Sequence, residues 1–150
     1  MLEEIYNYLK LSESLATSGQ PSEAQIAEIA QAGYQLVINL ALADAEYSLP
    51  DERATVESHE MAYIHLPVIW GQPTVENLEA FSDAMDANQG KKIFVHCAAN
   101  MRVSAFVALY RIRRLGWPPE QSFQDMQRIW TPDGWWRDFI LACLPGEAGP

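Results

Sequence analysis

Four apolar runs of strand length punctuate this chain, and helix-like stretches separate them. Leu15 to Ser18 is short and stops at Gly19-Gln20-Pro21. Tyr34 to Leu40 (YQLVINL) and Ala62 to Val68 (AYIHLPV) are nearly continuous apolar runs, the signature of strands buried on both faces in a parallel sheet. Ile93-Phe94-Val95 is the fourth run and breaks off at His96-Cys97. Between them, Ser22 with Gln25 three positions on forms a capping box that opens a helix through Ile26 and Ile29 to Gly33. A charged helix is expected over Asp51 to Met61. Thr74 caps another, with Val75, Leu78, Phe81 and Met85 at helical spacing. Further helices follow: one closing near Leu115-Gly116, one starting at Pro118-Pro119, and one carrying Trp135, Trp136, Phe139 and Ile140. Residues Leu2 to Leu11 read as a short helix or a strand lead-in. This alternation predicts an α/β fold in three layers, a mainly parallel central sheet flanked by helices, forming one domain over residues 1–150.

Composition narrows what such a domain does. A hydrophobic content of 49% suits a folded protein, and no apolar run approaches the about 20 residues of a membrane span. A formal net charge of -10 argues against general nucleic-acid binding, which depends on basic patches and counterion release. The acidic, polar-broken start MLEEIYNYLK is unlike a secretory signal, so a cytoplasmic protein is expected. Two cysteines, Cys97 and Cys143, make no disulfide framework, and His59, His65 and His96 lack the partners of a zinc site. Cys143, beside Ile140 and Leu144, reads as a small buried hydrophobe, and Trp117, Trp130, Trp135 and Trp136 as packing of the C-terminal helices.

Cys97 is different. It leaves a buried strand, enters a loop of small residues and precedes a helix, a geometry in which amide dipoles stabilise an anion or a thiolate. Ligands in parallel α/β sheets sit beyond the carboxyl ends of the strands, where Cys97, Trp70 and the 41–50 loop all fall.

The segment VHCAANMRVS resembles the signature loop of cysteine-dependent protein tyrosine and dual-specificity phosphatases, in which His-Cys is followed by five residues, Arg, and Ser or Thr. The Gly19-Gln20-Pro21 turn, the strand YQLVINL, and Tyr63 to Pro67 before a Thr-capped helix extend the likeness over residues 15–115, in the order of a small bacterial phosphatase-like family. The resemblance implies a phosphatase-like fold, Cys97 as nucleophile and His96 as its pKa-setting neighbour. It further implies Ser104 as the hydroxyl easing thiolate departure, and a phosphate cradle from Cys97, Ala98, Ala99, Asn100, Met101, Arg102 and Val103. A phosphorylated small molecule or phosphoprotein is the implied substrate, with no metal or cofactor. Two positions depart from the pattern. Val103 stands where the family arginine is counted, with Arg102 one residue early, so either Val103 replaces the arginine or the loop is one residue shorter and Arg102 is the ligand. Asn100 stands at a glycine position, and asparagine tolerates left-handed backbone. The family's acid position, near 69–72, holds Trp70 and no carboxylate. Asp44 and Asp51, with Glu46 and Glu52, are the candidate proton donors from the neighbouring loop.

Two other readings share these residues. Cys97, four residues, Arg102 and a nearby Ser is also a spacing of rhodaneses, sulfurtransferases that carry a persulfide, although their acidic strand-end motif is absent. A phosphate-binding module without turnover is the third.

Overall fold

A computed structural model describes residues 1–145. Its centre is a five-stranded sheet in the order β1-β2-β5-β3-β4. The strands are β1 (Leu9–Ser12), β2 (Leu15–Ser18), β3 (Leu36–Asn39), β4 (Ala62–His65) and β5 (Ile93–His96). All neighbours pair parallel except β1 and β2. The helices are α1 (Glu23–Gln31), α2 (Glu52–Ser58), α3 (Val75–Ala87), α4 (Met101–Leu115), α5 (Pro119–Gln127) and α6 (Gly134–Cys143). The expected three-layer arrangement is therefore present, and the lead-in resolves into a 3-10 turn (Leu2–Glu4) followed by an antiparallel edge strand. Alternation of Leu9 and Leu11 with Lys10 and Ser12 carries that strand in the sequence, because side chains alternate faces.

The sheet is buried on both sides by strict alternation. Leu36 and Ile38 of β3, and Ile93 and Val95 of β5, face a core built with Leu78, Phe81, Phe106 and Trp136 from α3, α4 and α6. Val37 and Phe94 point the other way, against Ile26 and Ile29 of α1 and Val56 of α2. This explains why the strands read as unbroken apolar runs. It also makes β5 the middle strand, so whatever leaves its carboxyl end emerges at the centre of the molecule's upper edge.

Capping follows the local chemistry. The Ser22–Gln25 box at α1 is formed, and Thr74 and Asn77 make a second at α3. Asp51 takes positive φ and caps α2 by accepting from the Ala54 amide. Helix α4 runs without interruption from the cysteine loop to Gly116, whose φ of 74° supplies the left-handed C-cap. Among the described residues no helix is long and apolar enough to cross a membrane.

Candidate active site

Strand β5 ends at His96, and the chain turns from Cys97 through Asn100 into α4. The turn is fastened to its neighbours by backbone contacts. Cys97 N–H donates to the Ser18 carbonyl at 3.3 Å, and the Gln20 amide donates to Ala98 O at 3.0 Å. Gly19 lies so close that a Cβ there would come within 2.6 Å of Ala98 O, which is why this turn requires glycine. Asn100 holds the left-handed conformation that starts the helix, with φ 65°. Its side-chain amide donates to Asn7 O at 2.8 Å and to Thr17 Oγ1 at 2.9 Å, while Asn7 returns a bond to Ala99 O at 2.9 Å.

Apart from the Cys97 amide, the bonds just named use loop carbonyls and side chains and leave the loop N–H groups unspent. Among the described residues, the amides of Ala98, Ala99 and Met101 have no acceptor. They join the first-turn amides of α4, the positive end of a fifteen-residue helix.

Cys97 and Arg102 line one cavity of about 280 Å³ with Leu42, Tyr47, Trp70, Ala98, Ala99 and Met101. Of the two residues at the arginine position, Arg102 borders this cavity and Val103 does not. Arg102 reaches the cavity, and Val103 is fully buried in the core behind it. The Arg102 guanidinium is fixed by one donation, Nη1 to Val68 O at 2.7 Å, with Nη2 at 3.5 Å from the Tyr47 hydroxyl. Among the described residues the remaining donors of its planar fork have no acceptor.

The other expected site residues lie elsewhere. Ser104 does not line this cavity; its hydroxyl donates to Met101 O at 2.9 Å and accepts from Trp130 Nε1 at 3.0 Å. Asp44 is exposed and borders no part of the cavity, and Asp51 is spent on its helix cap and faces a separate cavity with Arg53 and His65. Among the described residues no carboxylate lines the Cys97 cavity. Trp70 is held in the position near Cys97 by its carbonyl, which accepts from both Trp135 Nε1 (3.2 Å) and Trp136 Nε1 (2.7 Å). Its ring packs on Trp130 and Trp136, each with centroids at 5.4 Å. The C-terminal tryptophans thus shape a wall of the site as well as a core.

Behind the loop a buried histidine meets a buried carboxylate. His96, fully buried, sets Nε2 at 2.6 Å from Glu52 Oε2 and Nδ1 at 3.2 Å from Cys97 O. Burial alone would raise the Glu52 carboxyl, but hydrogen bonds and charge from His96, with help from Gln20 and Tyr63, hold it below the ordinary carboxylate value. Glu52, Tyr47 and Gln20 are the residues that sequence reasoning did not place here. Glu52 was weighed only as a proton donor, because nothing in a helical DERATVES stretch marks one acid as buried.

Comparisons with known proteins address the family and the fold. The family described as DSP-PTPase phosphatase fused to NAD+ kinase matches residues 6–130. A DUF442 protein of Shewanella putrefaciens CN-32, named a candidate phosphatase, is 34% identical, with TM-score 0.85, 95% of this chain and 93% of that chain covered. TpbA of P. aeruginosa shares the fold at 20% identity and TM-score 0.66, over 81% of this chain and 72% of that one. Two "Beta-lactamase hydrolase-like" proteins of Xylella fastidiosa are 31% identical over 68% of this chain, and the match spans only 24% of their length. A buried cysteine between a parallel strand and a helix, with an arginine beside it and a family match over most of its length, places this chain in the DSP-PTPase phosphatase family of the cysteine-dependent protein tyrosine and dual-specificity phosphatases.

Proposed function

We propose that this domain hydrolyses phosphate monoesters through a phosphocysteine at Cys97. The observation that carries the reading is that one cavity is lined by Cys97, Arg102 and Ala98, Ala99 and Met101, the residues whose amides have no acceptor among the described residues. The Cys97 thiolate attacks phosphorus, the ester P–O bond breaks, and the leaving oxygen departs with its electron pair. Three amides and the guanidinium face the negative charge spread over the phosphoryl oxygens, which is stabilisation of the oxyanion-hole kind. Water then attacks the phosphocysteine, releasing inorganic phosphate and restoring the thiol. The amides and arginine take the place a metal fills elsewhere.

The substrate follows from what the cavity lacks. With no carboxylate among its described lining residues, protonation of the leaving oxygen is unassisted, a step worth about 10²–10⁴-fold where a general acid is present. Aryl phosphates need it least, since a phenolate leaves readily. The walls, Leu42, Tyr47, Trp70 and Met101, are apolar or aromatic and suit an aryl ring. P. aeruginosa TpbA, of similar fold, is known in complex with pTyr, which supports a phosphotyrosine-like ligand, free or on a protein. Aryl phosphate hydrolysis should be measurable, should vanish in Cys97→Ser, and should leave a trapped phosphate adduct on Cys97 after rapid acid quench. Turnover that persists in Cys97→Ser rejects the reading.

Sulfur transfer is the second reading, favoured by the Cys97–Arg102 spacing and by the same missing acid. There Cys97 attacks the outer sulfur of thiosulfate or a glutathione persulfide, the S–S bond breaks, and sulfite or glutathione leaves as the anion. Intact-mass measurement after thiosulfate treatment separates the two, because only this route adds one sulfur to Cys97.

A further inference from the structure

We infer that the protein carries a second ligand site, at the end of the sheet opposite Cys97, and that this site takes a small carboxylate with an aliphatic body. The inference is independent of the reaction at Cys97.

The site is a cavity of about 440 Å³, larger than the catalytic one and within the usual range for small-molecule sites. Ile93 and Leu15 line it, so it lies where β5 and β2 begin rather than where β5 delivers the cysteine. The β1–β2 hairpin meets the carboxyl ends of α3 and α4 there. Arg111 of its lining stands nine residues after Arg102 on α4, about 14 Å of helix rise away. A ligand here leaves the cysteine loop unobstructed.

Two properties of the lining select the ligand. The first is charge. The chain has 20 acidic side chains and a net charge of -10, yet among the described residues no carboxylate lines this cavity, while Lys91 and Arg111 do. Arg111 is the stronger pointer. It is only 5% exposed, and a buried guanidinium ordinarily spends its donors. One donor, Nη1, goes to Asp125 Oδ2 at 2.8 Å. Among the described residues the remaining side-chain donors have no acceptor. Asp125 itself borders a separate, much smaller cavity and not this one. The guanidinium is also held 4.1 Å over the Trp117 ring, so the fork is fixed before any ligand arrives. Such a preset fork matches the planar oxygens of a carboxylate.

The second property is the apolar part of the lining. Leu11, Leu15, Met85, Ile93 and Leu115 are all aliphatic, and Leu115 is left 46% exposed at the edge. An aliphatic chain laid over them removes that surface from water while its carboxylate meets Arg111, with Lys91 at the rim.

Sodium hexanoate is the probe, with hexanol as its uncharged counterpart, and ¹H–¹⁵N NMR of the protein reads location and affinity together. The Trp117 indole N–H and the Lys91 and Leu115 amides should shift with hexanoate, whatever the cysteine loop does. Hexanol should bind at least about tenfold more weakly, the least that one lost charge-assisted bond costs. In Arg111→Gln that preference should fall away. Equal affinity for the two probes in the wild-type protein overturns the inference, since the cations would then serve only the carboxyl ends of α3 and α4. Shifts confined to the Cys97 loop, or no shifts at millimolar hexanoate, overturn it as well. A tenfold preference that survives in a folded Arg111→Gln removes Arg111 from the site and so refutes it. If that variant does not fold, the two-probe comparison on the unmutated protein decides alone. None of these readings needs turnover, so a protein without phosphatase activity could still bind hexanoate here, and an active one could fail to.

Discussion

Arg102→Lys isolates the contribution of the guanidinium fork. In the unliganded site one donor is committed to Val68 O at 2.7 Å, and the contact with Tyr47 at 3.5 Å is at the outer limit of a hydrogen bond and readily exchanged for an anion. A lysine keeps the charge but has a single ammonium, which cannot satisfy the buried Val68 carbonyl and grip an oxyanion in a plane at the same time. At least one charge-assisted bond to the ligand is therefore lost. Such bonds contribute about 1.5–3 kcal/mol, and about 1.4 kcal/mol is tenfold in affinity, so binding should weaken by roughly 10- to 150-fold. Isothermal titration with inorganic phosphate or vanadate gives the number directly, and thermal unfolding reports separately on the orphaned Val68 carbonyl. An affinity within twofold of wild type, in a protein that remains folded, would refute the placement of Arg102 at the anion.

Three further outcomes follow from other parts of the molecule. Gly19→Ala should lower both stability and oxyanion affinity, because the added methyl would sit 2.6 Å from Ala98 O and 2.7 Å from Tyr6 Cδ2; urea unfolding and phosphate titration read the two effects. Trp136→Ala removes a fully buried ring that also holds the Trp70 carbonyl, at a cost of about 3–5 kcal/mol by the usual range for such deletions, and chemical denaturation should show it. Burial pushes the phenols of Tyr34 and Tyr63 up to about 12. Since the folded state then holds these protons more tightly than the unfolded chain, their contribution is complete below about pH 10 and is lost between there and about 12. Alkaline unfolding should shift to higher pH in Tyr34→Phe, and an unchanged transition would contradict the assignment.

Local sequence carried the elements and the chemistry that depends on neighbours in the chain. The capping boxes at Ser22 and Thr74, the apolar runs of β3 and β5, and the coincidence of strand end, small residues and helix start at Cys97 all stand in one stretch each, so their physics is readable without a fold. Family resemblance rested on the same loop together with the turn at Gly19, the strand YQLVINL and Tyr63 to Pro67. The tertiary structure decided what depends on direction. Whether Arg102 or Val103 enters the site turns on about 100° of helix rotation, and only packing against the core sends Val103 inward and leaves Arg102 facing the cavity. Asp51 and Ser104 carry suitable chemistry, yet each is occupied by a local bond, a helix cap for one and the Met101 carbonyl for the other. Glu52 and His96 are 44 residues apart in the chain. No spacing rule joins them; the parallel sheet does, by bringing the start of α2 against the end of β5 and closing a 2.6 Å contact between two buried side chains.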